Sequence, residues 1–248
     1  MHFRPLIAVV LVAMLCTSCR GGGTSGLFRQ YEYEEEIYLS LDGSATLYVN
    51  ASIPALNALR GAAFDPRPNA RIDRDAVRRF FTSDAVSVGR ISVSRRSNRR
   101  FVHVRLDVPD VRRLPLASPF AWSSYQFGSD NGLVTFGQRV GASAGGGLGS
   151  STWTGEELVA FRAHVPSKVV YHNAGADNLR RGNIVVWEQS LAERLKGAPL
   201  SLDIRMEPQS ILYRTLLLFA GTGLVVLMLF SVVIWWVRGR GVTPAATR

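Results

Sequence analysis

Few side chains in this sequence stand at spacings that chemistry requires. Gly141-Ala142-Ser143-Ala144-Gly145 matches the G-x-S-x-G pattern of a nucleophile elbow, in which a tight strand-to-helix turn presents the serine. Here the match lies in a run of glycines with no helical pattern after it. Its acid and base would have to be Glu156 or Glu157 with His164 or His172, which fall close by on expected strands. Composition alone produces such matches in Gly/Ala/Ser tracts, so the chain reads as a non-enzyme, and a hydrolase using Ser143 is the alternative. His103, His164 and His172 lack the close pairing of a zinc or iron site, and no glycine-rich loop carries a P-loop lysine. No metal or cofactor is expected.

Positive charge is the stronger signal. The chain carries 29 Lys+Arg against 19 Asp+Glu, yet Lys168 and Lys196 are its only lysines. From Arg60 to Arg113 there are 14 arginines and 6 acidic residues. Arg95, Arg96, Arg99 and Arg100 flank Ser97-Asn98 where two strands should be joined. They read either as a solvated turn or as a contact for lipid phosphates, anionic envelope polymers or an acidic partner, each cation near an anionic surface contributing about 1 kcal/mol. The acidic run Glu32-Tyr33-Glu34-Glu35-Glu36 either pairs with arginines inside the fold or marks a solvated edge strand.

The elements that must position these groups are mostly short strands. Tyr31 to Leu41 and Ala45 to Ile53 alternate around Asp42-Gly43, a hairpin signal. Pro54 and Gly61 bound a short helix, and Asp73 can cap a second whose Val77, Phe80 and Phe81 face inward. Strands follow near Val86 to Ser94 and Phe101 to Val108, with His103 on the polar side as an uninvolved surface residue. A further hairpin spans Phe120 to Phe127 and Leu133 to Val140. Beyond the glycine-rich insertion 141–152 come strands at Glu157 to His164, Lys168 to Asn173, Asn183 to Gln189 and Leu200 to Glu207, with Leu191 to Leu195 helical. This order implies an α+β fold with a mainly antiparallel sheet and a few short helices, over residues 27–210.

Both ends point to a membrane. Residues 1–19, MHFRPLIAVVLVAMLCTSC, are laid out as a secretion signal. The stretch Cys16-Thr17-Ser18-Cys19 resembles the lipobox of bacterial lipoproteins, in which the last cysteine is the lipid attachment site. Cys16 replaces the usual leucine. Residues 20–26 are glycine-rich and read as a tether. Residues 215–237 are uncharged and apolar, long enough to cross a bilayer. Trp235, Trp236, Arg238 and Arg240 mark the far interface, and the tail 238–248 has no acidic residue, which by the positive-inside rule makes it cytoplasmic. The chain is therefore expected in the bacterial cytoplasmic membrane with its folded part outside. Nucleic acid is not an expected partner of a surface placed there.

Val165-Pro166-Ser167-Lys168-Val169, Asn173 and Gly182-Asn183-Ile184-Val185-Val186-Trp187 precede an apolar strand that leads into the span. Together with Asp42-Gly43-Ser44 and the lipobox-like signal, they resemble the LppM-like family of bacterial membrane-anchored lipoproteins. The resemblance implies an extracytoplasmic, non-enzymatic α+β module that holds a lipid or glycolipid. The arginine-rich block and the glycine insertion depart from that pattern. The other expectation consistent with the residues is a scaffold or accessory subunit with a membrane protein partner.

Overall fold

The computed structural model describes residues 29–142 and 153–240. Cys19 with the signal segment 1–19, the tether 20–26, Ser143 with most of the insertion, and tail residues 241–248 lie outside the described residues.

Strand β1 (Tyr31–Leu39) and strand β2 (Ala45–Ser52) pair antiparallel around a turn where Asp42 accepts hydrogen bonds from the Ser44 amide and hydroxyl. The strand stops at Leu39, two residues earlier than the alternation suggests, because the Ser40 amide turns to the Ser44 carbonyl. Gly43 has a φ of 85°, and an added Cβ there would lie 2.9 Å from the Phe127 ring. Helix α1 (Ile53–Arg60) is capped by the Ser52 hydroxyl on the Ala55 amide, and left-handed Gly61 ends it. Helix α2 (Arg74–Phe81) is capped by Asp73 and buries Val77 and Phe81.

Strand β3 (Ser87–Arg96) and strand β4 (Arg99–Val108) meet at Ser97 and Asn98, both with positive φ, a two-residue turn that matches the strand twist. The four arginines expected in a connecting turn are thus strand residues. Strand β5 (Ser123–Asp130) and strand β6 (Leu133–Val140) repeat the device at Asn131-Gly132. Then come β7 (Leu158–His164), β8 (Ser167–His172), β9 (Leu179–Arg180) and β10 (Ile184–Ser190). Helix α3 (Leu191–Leu195), β11 (Leu200–Ser210) and helix α4 (Ile211–Arg240) complete the order.

The strands form a seven-stranded sheet, β3-β4-β2-β1-β7-β10-β9, and a four-stranded sheet, β5-β6-β11-β8. All pairings are antiparallel except β1 with β7, so the α+β expectation holds with one parallel pair at the middle of the larger sheet. Ile37, Leu47, Val104, Phe161 and Val185 of the larger sheet share one core cluster with Phe136, Ile204 and Met206 of the smaller. β1 lies between β2 and β7, so the edge-strand reading of its acidic run is overturned.

The four-stranded sheet runs directly into α4, whose 30 residues reach about 45 Å at a rise of about 1.5 Å each. It is the one helix among the described residues long and apolar enough to cross a bilayer, which fits membrane association. Trp235 and Trp236 are exposed near its end, and the helix continues through Arg238 to Arg240, past the expected limit at Val237.

Candidate functional site: an arginine-lined groove

The arginine block divides once its contacts are read. Arg99 is 6% exposed and turned inward, its guanidinium 3.0 Å from Glu32 and 3.6 Å from Glu157. Burial raises the pKa of the Glu157 carboxyl, but the Thr154 and Gly155 amides and Arg99 more than offset this and hold it below the usual carboxylate range. Arg100 donates to the carbonyls of Asp65 and Ala70, and so ties down the loop before α2. Arg96 donates to the Tyr31 carbonyl and lies over the Phe101 ring. Arg95 is exposed and reaches Asn98 at 2.8 Å and Asn69 at 3.3 Å. The expectation that all four face an anionic surface is therefore corrected: a buried guanidinium needs its carboxylates, and Arg99 serves the core.

The acidic run supplies other pairs. Glu35 is 3% exposed and takes four hydrogen bonds. Arg60 Nη2 donates at 2.8 Å and the Tyr33 hydroxyl at 2.9 Å to Oε2. Tyr125 at 3.1 Å and Gln138 at 2.7 Å donate to Oε1. The network joins β1 and α1 to β5 and β6, and so links the two sheets. Burial pushes both tyrosine hydroxyls well above their ordinary pKa, which keeps them neutral donors. On the other face of the larger sheet, Glu34 pairs with Arg162 and Glu36 with His164 at 2.5 Å.

A groove of about 1060 Å3 lies between the loop before α2 and the β3–β4 hairpin. Ile72 and Val93 contribute apolar surface, and Arg71, Arg74, Arg95 and Arg100 contribute positive charge against Asp73 and Asp75. Arg71 and Arg74 are exposed, and their side chains have no hydrogen bond or close ion pair among the described residues, although the Arg71 charge helps to lower the pKa of Asp73. Sequence reasoning singled out only the hairpin cluster Arg95, Arg96, Arg99 and Arg100 of the arginine-rich stretch Arg60 to Arg113, to which these two also belong. Their signal was the charge excess together with the Asp73 cap, which fixes the start of α2 beside the hairpin. A concavity with guanidinium and hydrocarbon on adjoining walls suits an anionic amphiphile.

His103 is not the uninvolved residue expected. Its Nε2 lies 2.7 Å from Ser94 Oγ and its Nδ1 2.9 Å from Asn50 Oδ1. The connectivity is that of a nucleophile, a base and an orienting residue. The three residues also occupy three adjacent strands on one sheet face, the arrangement of an ordinary cross-strand polar ladder. Asn173 and Asn183 have structural work: Asn173 Oδ1 accepts from Trp187 Nε1 at 2.9 Å and from the Asp203 amide at 3.0 Å, and Asn183 Nδ2 donates to the Val165 carbonyl. Among the described residues, no group of three His, Cys, Asp or Glu could hold a metal ion.

No family model matches the chain, and no curated protein matches it. Among solved structures it is similar to the folded domain of LppM from Mycobacterium tuberculosis, determined by NMR, at 14% identity and a TM-score of 0.41. The match covers 75% of this chain and 95% of that one.

Proposed function

We propose that this chain is a non-enzymatic module of the bacterial envelope, of the LppM-like kind. In this reading it is anchored by α4 with its folded domain extracytoplasmic, and is also lipidated at Cys19. It binds a lipid or glycolipid with an anionic head group. The reading rests on the groove, where the exposed guanidinium groups of Arg71 and Arg74 lie beside Ile72 and Val93 on a chain that carries a membrane-length helix. The head group lies against the guanidinium groups and the first part of the acyl chain against the hydrocarbon. The test is a titration of the full chain in mild detergent with envelope lipids, read by native mass spectrometry. One amphiphile per chain is expected, and Arg71→Gln with Arg74→Gln should weaken it about thirtyfold, from about 1 kcal/mol for each cation. A chain that stays empty, or retains lipid equally in that variant, refutes the reading. Recovery with a stoichiometric protein and no lipid would favour an accessory subunit of a membrane assembly.

A further inference from the structure

A second cationic surface is assembled where the folded domain meets its membrane helix. The Ile211 amide, at the first residue of α4, donates to the Pro166 carbonyl at 2.9 Å, and Ser210 is in register with Ser167. This ties the segment Val165–Val169 to the point of entry. The turn at Arg181-Gly182 is held against that segment in turn. The Val169 amide donates to the Gly182 carbonyl at 3.2 Å, the Val165 amide to the Asn183 carbonyl at 3.0 Å, and Asn183 Nδ2 back to the Val165 carbonyl at 3.1 Å. One piece of chain distant in sequence from α4 is thereby bonded directly to its first residue, and a second is bonded to that piece.

Lys168, Arg180 and Arg181 lie on those pieces. All three are exposed, and none of their side chains has a hydrogen bond or ion pair among the described residues. Asp177 is the only acidic residue between Val165 and Asn183. Arg214, one turn into the helix, is already matched by Glu207 at 2.7 Å. The hairpin arginines are engaged by the fold, whereas the side chains of these three cations have no ion-pair partner among the described residues. A helix that crosses a bilayer fixes its first turn at the head-group level, so cations held beside that turn lie within reach of lipid phosphates.

We propose that Lys168, Arg180 and Arg181, brought together at the entry of α4 by the Pro166–Ile211 and Asn183–Val165 hydrogen bonds, bind the phosphates of anionic phospholipids in the adjoining leaflet. The surface requires α4 to span the membrane and does not depend on what the groove binds. It fixes the height and tilt of the folded domain over the bilayer.

Amide exchange of the full chain in lipid nanodiscs tests it. Exchange across residues 165–183 is expected to be about tenfold slower in discs containing phosphatidylglycerol than in pure phosphatidylcholine discs, well within what three cations near an anionic surface provide. Lys168→Gln/Arg180→Gln/Arg181→Gln should exchange at the phosphatidylcholine rate in both, whereas Arg180→Lys/Arg181→Lys keeps the slowing. Arg71→Gln/Arg74→Gln in the groove also keeps it, which separates this surface from the groove. Equal exchange in the two lipids, slowing that survives the triple Gln variant, slowing by free phosphate in phosphatidylcholine discs, or failure of the chain to enter discs overturns the proposal.

Discussion

Glu35 is the residue whose loss should cost the fold most. Its two carboxylate oxygens accept from Arg60, Tyr33, Tyr125 and Gln138, all buried, and these donors come from both sheets and from α1. Glu35→Ala strands the Arg60 guanidinium, which keeps a 2.8 Å bond to the Tyr33 hydroxyl and sits 4.6 Å from the Tyr33 ring centroid and 5.0 Å from that of Trp122. Removing one partner of a buried ion pair costs about 3–5 kcal/mol, chiefly through the charge left behind. For a domain of this size each kcal/mol moves the melting temperature by about 2–4 °C, so a drop of roughly 6–20 °C is expected. The double variant Glu35→Leu/Arg60→Met removes both charges and should recover part of the loss. Thermal unfolding in nanodiscs of the unaltered chain, Glu35→Leu, Arg60→Met and the double variant, followed by tryptophan fluorescence, gives all four corners of the cycle. Losses under about 1 kcal/mol for the single variant, or strictly additive losses, would show that the network does not hold the sheets together.

Other expectations follow from single positions. An added Cβ at Gly141 would lie 2.2 Å from the Trp122 carbonyl oxygen, which the Gly141 amide itself contacts at 3.0 Å. Gly141→Ala should therefore cost about 1–3 kcal/mol in the same melts, and an unchanged melting temperature would contradict that close approach. Burial lowers the pKa of His103, and Glu34 counters this only in part. The unfolded chain therefore takes up that proton first as pH falls below about 6.5. Stability should decline from pH 7 toward pH 5, and less so in His103→Gln; a rise on acidification would carry the wrong sign. Ser94→Ala should leave any ester hydrolysis by the purified chain unchanged, whereas loss of a measurable rate would make the Ser94–His103–Asn50 trio catalytic.

Much of the architecture was legible because turn chemistry is local. Pro54 and Gly61 mark α1 and Asp73 marks α2, since the groups they cap or close lie within a few residues. A run of charge suggests solvent, so from sequence the arginine block reads as a connection. Ser97 and Asn98 need only two positions to reverse the chain, and the flanking arginines then fall in strands. Which charges turn inward depends on register across strands. Glu35 is in phase with Ile37 and Leu39, and that period of two was the available sign that it faces the core. The partners of Arg99, Glu32 and Glu157, come from distant parts of the chain, and pairing at such range leaves no local pattern. The same holds for Lys168, whose neighbour Ser167 is brought to the start of α4 by its pairing with Ser210.

The most direct measurement is lipid analysis of the full chain extracted from bacterial membranes in mild detergent, with no lipid added. A stoichiometric anionic lipid or glycolipid, lost on Arg71→Gln/Arg74→Gln, is the expected result. A chain recovered without any such amphiphile from membranes that contain it would contradict the binding role.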